Sequence, residues 1–88
     1  MAIPTKTLQM QVKIYAPFET YFDGPASSVS ATNDTGPFDI LPRHKNFMCL
    51  LKPGKLRVRT SGKDDFIMSV NQAVMHVKSD RVTVFLDV

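Results

Sequence analysis

The chain has 88 residues, enough for one domain spanning residues 1–88 and too few for two. Hydrophobic residues make up 43% and charged residues 22%, which excludes global disorder, and a net charge of +3 permits an anionic partner without requiring one. The single cysteine, Cys49, excludes an internal disulfide; the N-terminal stretch lacks the apolar core of a secretory leader, and the longest apolar run, "FMCLL", is far below the ~20 residues of a membrane span.

In chain order, the dominant period is two. "TLQMQVKIY" sets Leu8, Met10, Val12 and Ile14 against Thr7, Gln9, Gln11 and Lys13, the pattern of a half-buried strand. "ATNDTGP", Ala31–Pro37, reads as a polar loop. "HKNFMCLL" suits either a short helical turn or a strand, and "KPG" at Lys52–Gly54 suits a type II turn. "KLRVRT" places Leu56 and Val58 on one face and Arg57 and Arg59 on the other. "SGK" at Ser61–Lys63 predicts a hairpin loop. "DFIMSV" and "AVMHV" are rich in β-formers but alternate less cleanly, and "SD" at Ser79–Asp80 predicts another tight connection. "RVTVFLDV" returns to strict alternation, with Val82, Val84 and Leu86 opposite Thr83 and Phe85. Leu8, Val12, Val58, Val82 and Val84 are the expected core. No segment carries a capped amphipathic helix of ~10 residues. Many short strands between turns predict an all-β sandwich or barrel.

Catalytic signatures are missing: there is no GxSxG, HExxH, P-loop or glycine-rich dinucleotide turn, so no enzyme activity and no cofactor are expected. Asp64 and Asp65 are sequence neighbours, which on a strand point to opposite faces and form no acid–base pair. His44, Cys49 and His76 match no zinc spacing, and no metal site is expected. The basic stretch is the stronger signal. Ile40–Lys63 holds seven of the eleven Lys and Arg residues and no carboxylate. Lys55, Arg57 and Arg59 share one strand face, as in small barrels that bind single-stranded nucleic acid, but that mode also needs exposed stacking aromatics, which this face lacks. The plain alternative is the solvated side of an amphipathic strand.

"GPFDILPRHKNFMCLLKPGKLRVR" resembles the signature of the epsilon subunit of F-type ATP synthases, called delta in mitochondria. "QVKIYAPFETYFDG" is similar to the first hairpin of that family, and "FIMSVNQAVMHVKSDRVTVFLDV" to its closing strands. The match runs from Leu8 to Val88. The resemblance implies a flattened sandwich of about ten short strands. It implies a non-catalytic central-stalk subunit that docks on the gamma subunit and the c-ring and couples proton flow to ATP synthesis. Localisation would be peripheral, on the cytoplasmic face of the bacterial inner membrane, with membrane association only through the complex and no nucleic acid bound. Partner contact is expected from Gly36, Pro37, Leu41, Pro42, Arg43 and His44, with Ala16 on the gamma side. Ile40–His44 would form the loop that meets the ring and the foot of gamma.

Departures from the family pattern carry their own expectations. Pro37 stands where the family has an acidic ring-contact residue. Arg43 replaces the Gly of the "LPGH" pattern, which argues against a glycine-only backbone angle there. Asn71-Gln72 replaces a Gly-Gly turn; Asn71 tolerates the left-handed region, Gln72 does not, and the turn needs altered geometry. Bacterial members usually continue into a helical hairpin that brakes hydrolysis or binds ATP. This sequence ends at Val88, where the sandwich is expected to close, so no such hairpin is expected in it. Two alternatives from other classes are a single-strand-binding β-barrel and a free-standing interaction module of the same fold.

Overall fold

The computed structural model describes residues 9–60 and 62–86, so Leu8, the Ser61 position of the "SGK" loop, and the Asp87-Val88 end of the last predicted strand lie outside the described residues. Among these residues the chain forms nine strands and no helix. They are β1 (Met10–Ala16), β2 (Glu19–Ala26), β3 (Ser28–Asn33), β4 (Gly36–Ile40), β5 (Phe47–Leu51), β6 (Gly54–Arg59), β7 (Phe66–Val70), β8 (Ala73–Lys78) and β9 (Arg81–Leu86). Two sheets stack as a sandwich, one ordered β2-β1-β9-β8-β5 and the other β4-β3-β6-β7.

The alternation in the sequence becomes alternation in burial. Met10, Val12, Ile14 and Ala16 on β1 are buried while Gln11 and Lys13 are exposed, and β9 buries Val82, Val84 and Leu86. On β6, Leu56 and Val58 enter the core and Lys55 and Arg59 face out. The two less regular stretches obey the same rule. β8 buries Ala73, Met75 and Val77 and leaves Val74 and His76 outside; β7 leaves Ile67 outside. "FMCLL" is a strand, with Phe47, Cys49 and Leu51 inward and Met48 and Leu50 outward. Burial raises the pKa of the Cys49 thiol, against a weaker opposing pull from the Asn33 side chain, so the group stays protonated and weakly nucleophilic near neutrality.

The chain changes sheets four times. A single residue, Ser27, carries β2 into β3, and its amide donates to the Arg59 carbonyl at 2.7 Å. Leu41–Asn46 carries β4 to β5, Lys52-Pro53 carries β5 to β6, and Asn71-Gln72 carries β7 to β8. Three turn expectations are corrected here. Gly54 does not adopt positive φ, so "KPG" is not a type II turn. A Cβ there would meet Thr32 Oγ1 at 3.2 Å, tighter than an ordinary contact, so glycine eases the approach of β3. Asn71 and Gln72 both avoid positive φ and carry the chain from one sheet to the other, so the left-handed tight turn expected at Asn71 is absent. The polar loop shrinks to Asp34-Thr35, since Ala31–Asn33 ends β3 and Gly36-Pro37 begins β4. Asn33 Oδ1 accepts from the Thr35 amide at 2.9 Å and its hydroxyl at 2.7 Å, and Gly36 at φ 115° supplies the left-handed residue that returns the chain.

β1 and β9 pair in parallel, which brings the first and last described strands to the middle of the larger sheet. The Ser79-Asp80 connection is a two-residue hairpin loop with φ of 50° and 61°, the pattern of a type I′ turn.

Candidate docking surfaces

The predicted contact residues do not form one site. Strand directions put Leu41, Pro42, Arg43 and His44 at the end of the sandwich that also carries Ser79-Asp80. Gly36 and Pro37 lie at the other end, with the Asp34-Thr35 tip, Lys52-Pro53 and Asn71-Gln72. The two groups are separated by the length of β4, roughly 13 Å for the four steps of about 3.3 Å from Gly36 to Ile40. Ala16 belongs to the Gly36 end, but its side chain is only 7% exposed, so at that hairpin the free surface comes from Pro17 and the fully exposed Phe18.

The loop end is built by strain and by one long-range bond. The His44 amide donates to the Leu41 carbonyl at 3.1 Å, closing a turn with Pro42 second and Arg43 third. Arg43 sits at φ 68°. That is the type II arrangement, with arginine where the geometry favours glycine, and it corrects the expectation that Arg43 would avoid the glycine angle. The residue is held there from outside: its amide donates to Asp80 Oδ1 at 2.6 Å. The Asp80 carbonyl in turn accepts from the Gln11 amide at 2.9 Å, which ties the hairpin to β1. His44 Nδ1 donates to the Lys45 carbonyl at 2.7 Å. Its ring packs edge-on to Phe47 at 5.6 Å, and Phe47 packs on Phe38 at 5.9 Å, an aromatic chain that closes the sandwich beneath the loop.

Arg43→Gly removes the side chain's conflict with left-handed φ, at about 1–2 kcal/mol, and adds about 0.5–1 kcal/mol of unfolded-state freedom. The main-chain bond to Asp80 is retained. The variant is therefore expected to be more stable by about 0.5–1 kcal/mol, read as a higher urea midpoint at unchanged m-value.

The larger sheet has an outer face that sequence inspection missed. Register pairs Leu50 with Val74, Val74 with Phe85, and Phe85 with Tyr15. These four side chains form one apolar row across β5, β8, β9 and β1, with Leu50, Val74 and Phe85 exposed. Tyr15 and Phe85 meet edge to face at 5.1 Å, and the Lys13 ammonium lies 5.0 Å from the Tyr15 ring centre. A cleft of about 400 Å³ opens beside the row, between Leu50, Pro53, Asn71, Gln72 and Val74. No single strand reveals such a row, because each contributes one residue.

The smaller sheet's outer face is polar. Lys55, Arg57 and Arg59 line it beside Ser28, Ser30 and Thr32, and Arg57 Nε lies 3.8 Å from Asp65 Oδ2. No aromatic side chain points outward there among the described residues, so bases would have nothing to stack on. Asp64 and Asp65 lie in the β6–β7 loop. His44, Cys49 and His76 stay apart: Cys49 faces in, His76 faces out from β8, and among the described residues no three metal-binding side chains converge.

Residues 9–88 match the family described as the ATP synthase delta/epsilon chain β-sandwich domain. The ATP synthase epsilon chain of Neisseria meningitidis serogroup C is 36% identical over 80 residues, covering 90% of this chain and 57% of the relative. That of Psychrobacter arcticus is 35% identical over 78 residues, covering 89% and 56%. This chain thus spans little more than half the length of these relatives. Among solved structures, a chain of the Euglena gracilis mitochondrial ATP synthase, determined as an assembly of OSCP, F1 and c-ring, superposes with TM-score 0.82 at 19% identity, covering 98% of this chain and 53% of that one. A chain of the Tetrahymena thermophila mitochondrial ATP synthase central stalk and c-ring gives 0.73 at 21% identity, covering 88% and 62%. At these identities the two structures speak for the fold.

Proposed function

The chain belongs to the ATP synthase delta/epsilon β-sandwich family, and from that membership we propose that it serves as a non-catalytic central-stalk subunit of an F-type ATP synthase. It docks on the gamma subunit and on the c-ring and so couples proton flow to ATP synthesis. Its place is peripheral, on the cytoplasmic face of the bacterial inner membrane, and it reaches the membrane only through the complex.

The observation that carries this reading is the apolar row Leu50–Val74–Phe85–Tyr15. A sheet face with four adjoining apolar or aromatic side chains is the surface a protein partner desolvates first, and aromatic anchors dominate such interfaces. We assign this face to gamma. Ala16 backs it from within, and Leu41, Pro42, Arg43 and His44, at the far end of the sandwich, are assigned to gamma as a separate contact. The end that borders the row, with Gly36, Pro37 and the exposed Phe18, is assigned to the ring. In this reading the role is mechanical.

The test is co-elution and calorimetry with the gamma subunit and the detergent-solubilised c-ring of the same organism. A one-to-one complex with gamma, and retention on the ring once gamma is present, are the expected results. A chain that meets neither partner at micromolar concentration has been reused outside the synthase.

A further inference from the structure

We infer that the end of the sandwich made by the Leu41–Asn46 loop and the Ser79-Asp80 hairpin is a preassembled docking surface for a carboxylate-rich protein segment, with Asp80 as its latch. The bond from the Arg43 amide to Asp80 Oδ1 joins elements 37 residues apart. It brings the cations of the loop, Arg43 and Lys45, to those of the hairpin, Lys78 and Arg81. All four are exposed, and none forms an ion pair among the described residues. Two carboxylates border them: Asp80, which is engaged by the Arg43 amide, and Asp23 of β2, which lines a shallow pocket with Lys13 and Arg81.

Two costs mark this end as built for something other than stability. Lys78 and Arg81 are directly paired across the hairpin, and like charges in that relation destabilise a sheet. Arg43, Ser79 and Asp80 are the only non-glycine residues at positive φ among those described, and all three are here. Backbone strain of this kind persists where surrounding structure holds it and concentrates at functional sites. The surface is cationic, and by the assignment above it lies at the end opposite the ring and the membrane. Its occupant is therefore an acidic protein segment and not a lipid headgroup. The inference rests on the rotor-stalk reading for that orientation alone.

Binding of a fluorescent deca-glutamate peptide to the 88-residue chain, followed by anisotropy, tests it. At about 0.1 M salt the screening length is about 10 Å, so distant charges contribute little. Replacing Lys78 and Arg81 together by Glu is expected to weaken binding at least about tenfold, while the same charge change at Lys55 and Arg59 on the smaller sheet changes it less than about twofold. The latch makes a prediction of opposite sign to simple electrostatics. Asp80→Gly removes a negative charge and suits the left-handed turn, so the hairpin folds, yet it frees the loop and is expected to weaken binding about threefold to fivefold. Asp80→Asn keeps an acceptor for the Arg43 amide and binds at least as well as the parent. Hydrogen exchange at the Arg43 amide rises in Asp80→Gly and not in Asp80→Asn. Equal losses from the two charge-reversed pairs, tighter binding by Asp80→Gly, or no binding by the parent chain overturns the proposal. The probe is not a synthase subunit, so an error in the stalk reading leaves these outcomes unchanged.

Discussion

Ile14→Ala is expected to destabilise the domain by about 3 kcal/mol, within the 2–5 kcal/mol range for deleting a buried isoleucine side chain to alanine. Ile14 is 0% exposed, and on β1 it pairs with Phe22 of β2 on one side and Val84 of β9 on the other. A cavity there is walled by two sheets tied together at four crossovers, which leaves little room to collapse. A chain of this length has roughly 4–13 kcal/mol in total, so the loss is a large share of the reserve. The melting temperature should fall by about 12–24 °C. Ile67→Ala is the matched control: the same residue type on a strand, but 45% exposed on the outer face of β7. Its cost should stay below about 1 kcal/mol. Thermal and urea unfolding of the pair decides the matter; similar losses for both would mean that the inner face of β1 is not the centre of the core.

The second large effect concerns docking. Val74→Glu puts a carboxylate in the middle of the apolar row, between Leu50 and Phe85. In the isolated chain the residue is on the surface, so stability should change by no more than about 0.5 kcal/mol. At an interface the carboxylate would be desolvated without a partner, and affinity for gamma should fall at least about 100-fold. Ile67→Glu, on the other outer face, should leave the calorimetric titration unchanged. Reversed results would move gamma to the smaller sheet. Unchanged affinity in both variants would take gamma off both faces and leave the ends as its only seats.

Much of the fold was legible because strand alternation is local. Successive side chains of an extended backbone point to opposite faces whatever the rest of the chain does, so Val12, Val58, Val82 and Val84 could be placed in the core from their neighbours alone. The same rule put Arg57 and Arg59 outside. It failed to sort "DFIMSV" and "AVMHV" because Ile67 and Val74 are apolar on both counts, and only the register of the sheets shows which faces inward. Turn chemistry was half legible. The Ser79-Asp80 connection was found, but the type II turn lies at Pro42-Arg43 and not at Pro53-Gly54.

What the amino-acid sequence determined by itself is the all-β class, the inward faces of its regular strands and the family to which it belongs. What tertiary structure alone decided is non-local. The parallel pairing of β1 with β9 and the row made of one residue from each of four strands exist only once distant segments are in register. The split of the expected contact residues between two ends follows from the direction of β4, which a list of residues does not carry. The left-handed backbone of Arg43 is held by a carboxylate 37 residues away. A local reading excluded that angle because the side chain opposes it; the fold imposes it because a hydrogen bond and an aromatic chain hold the loop from outside.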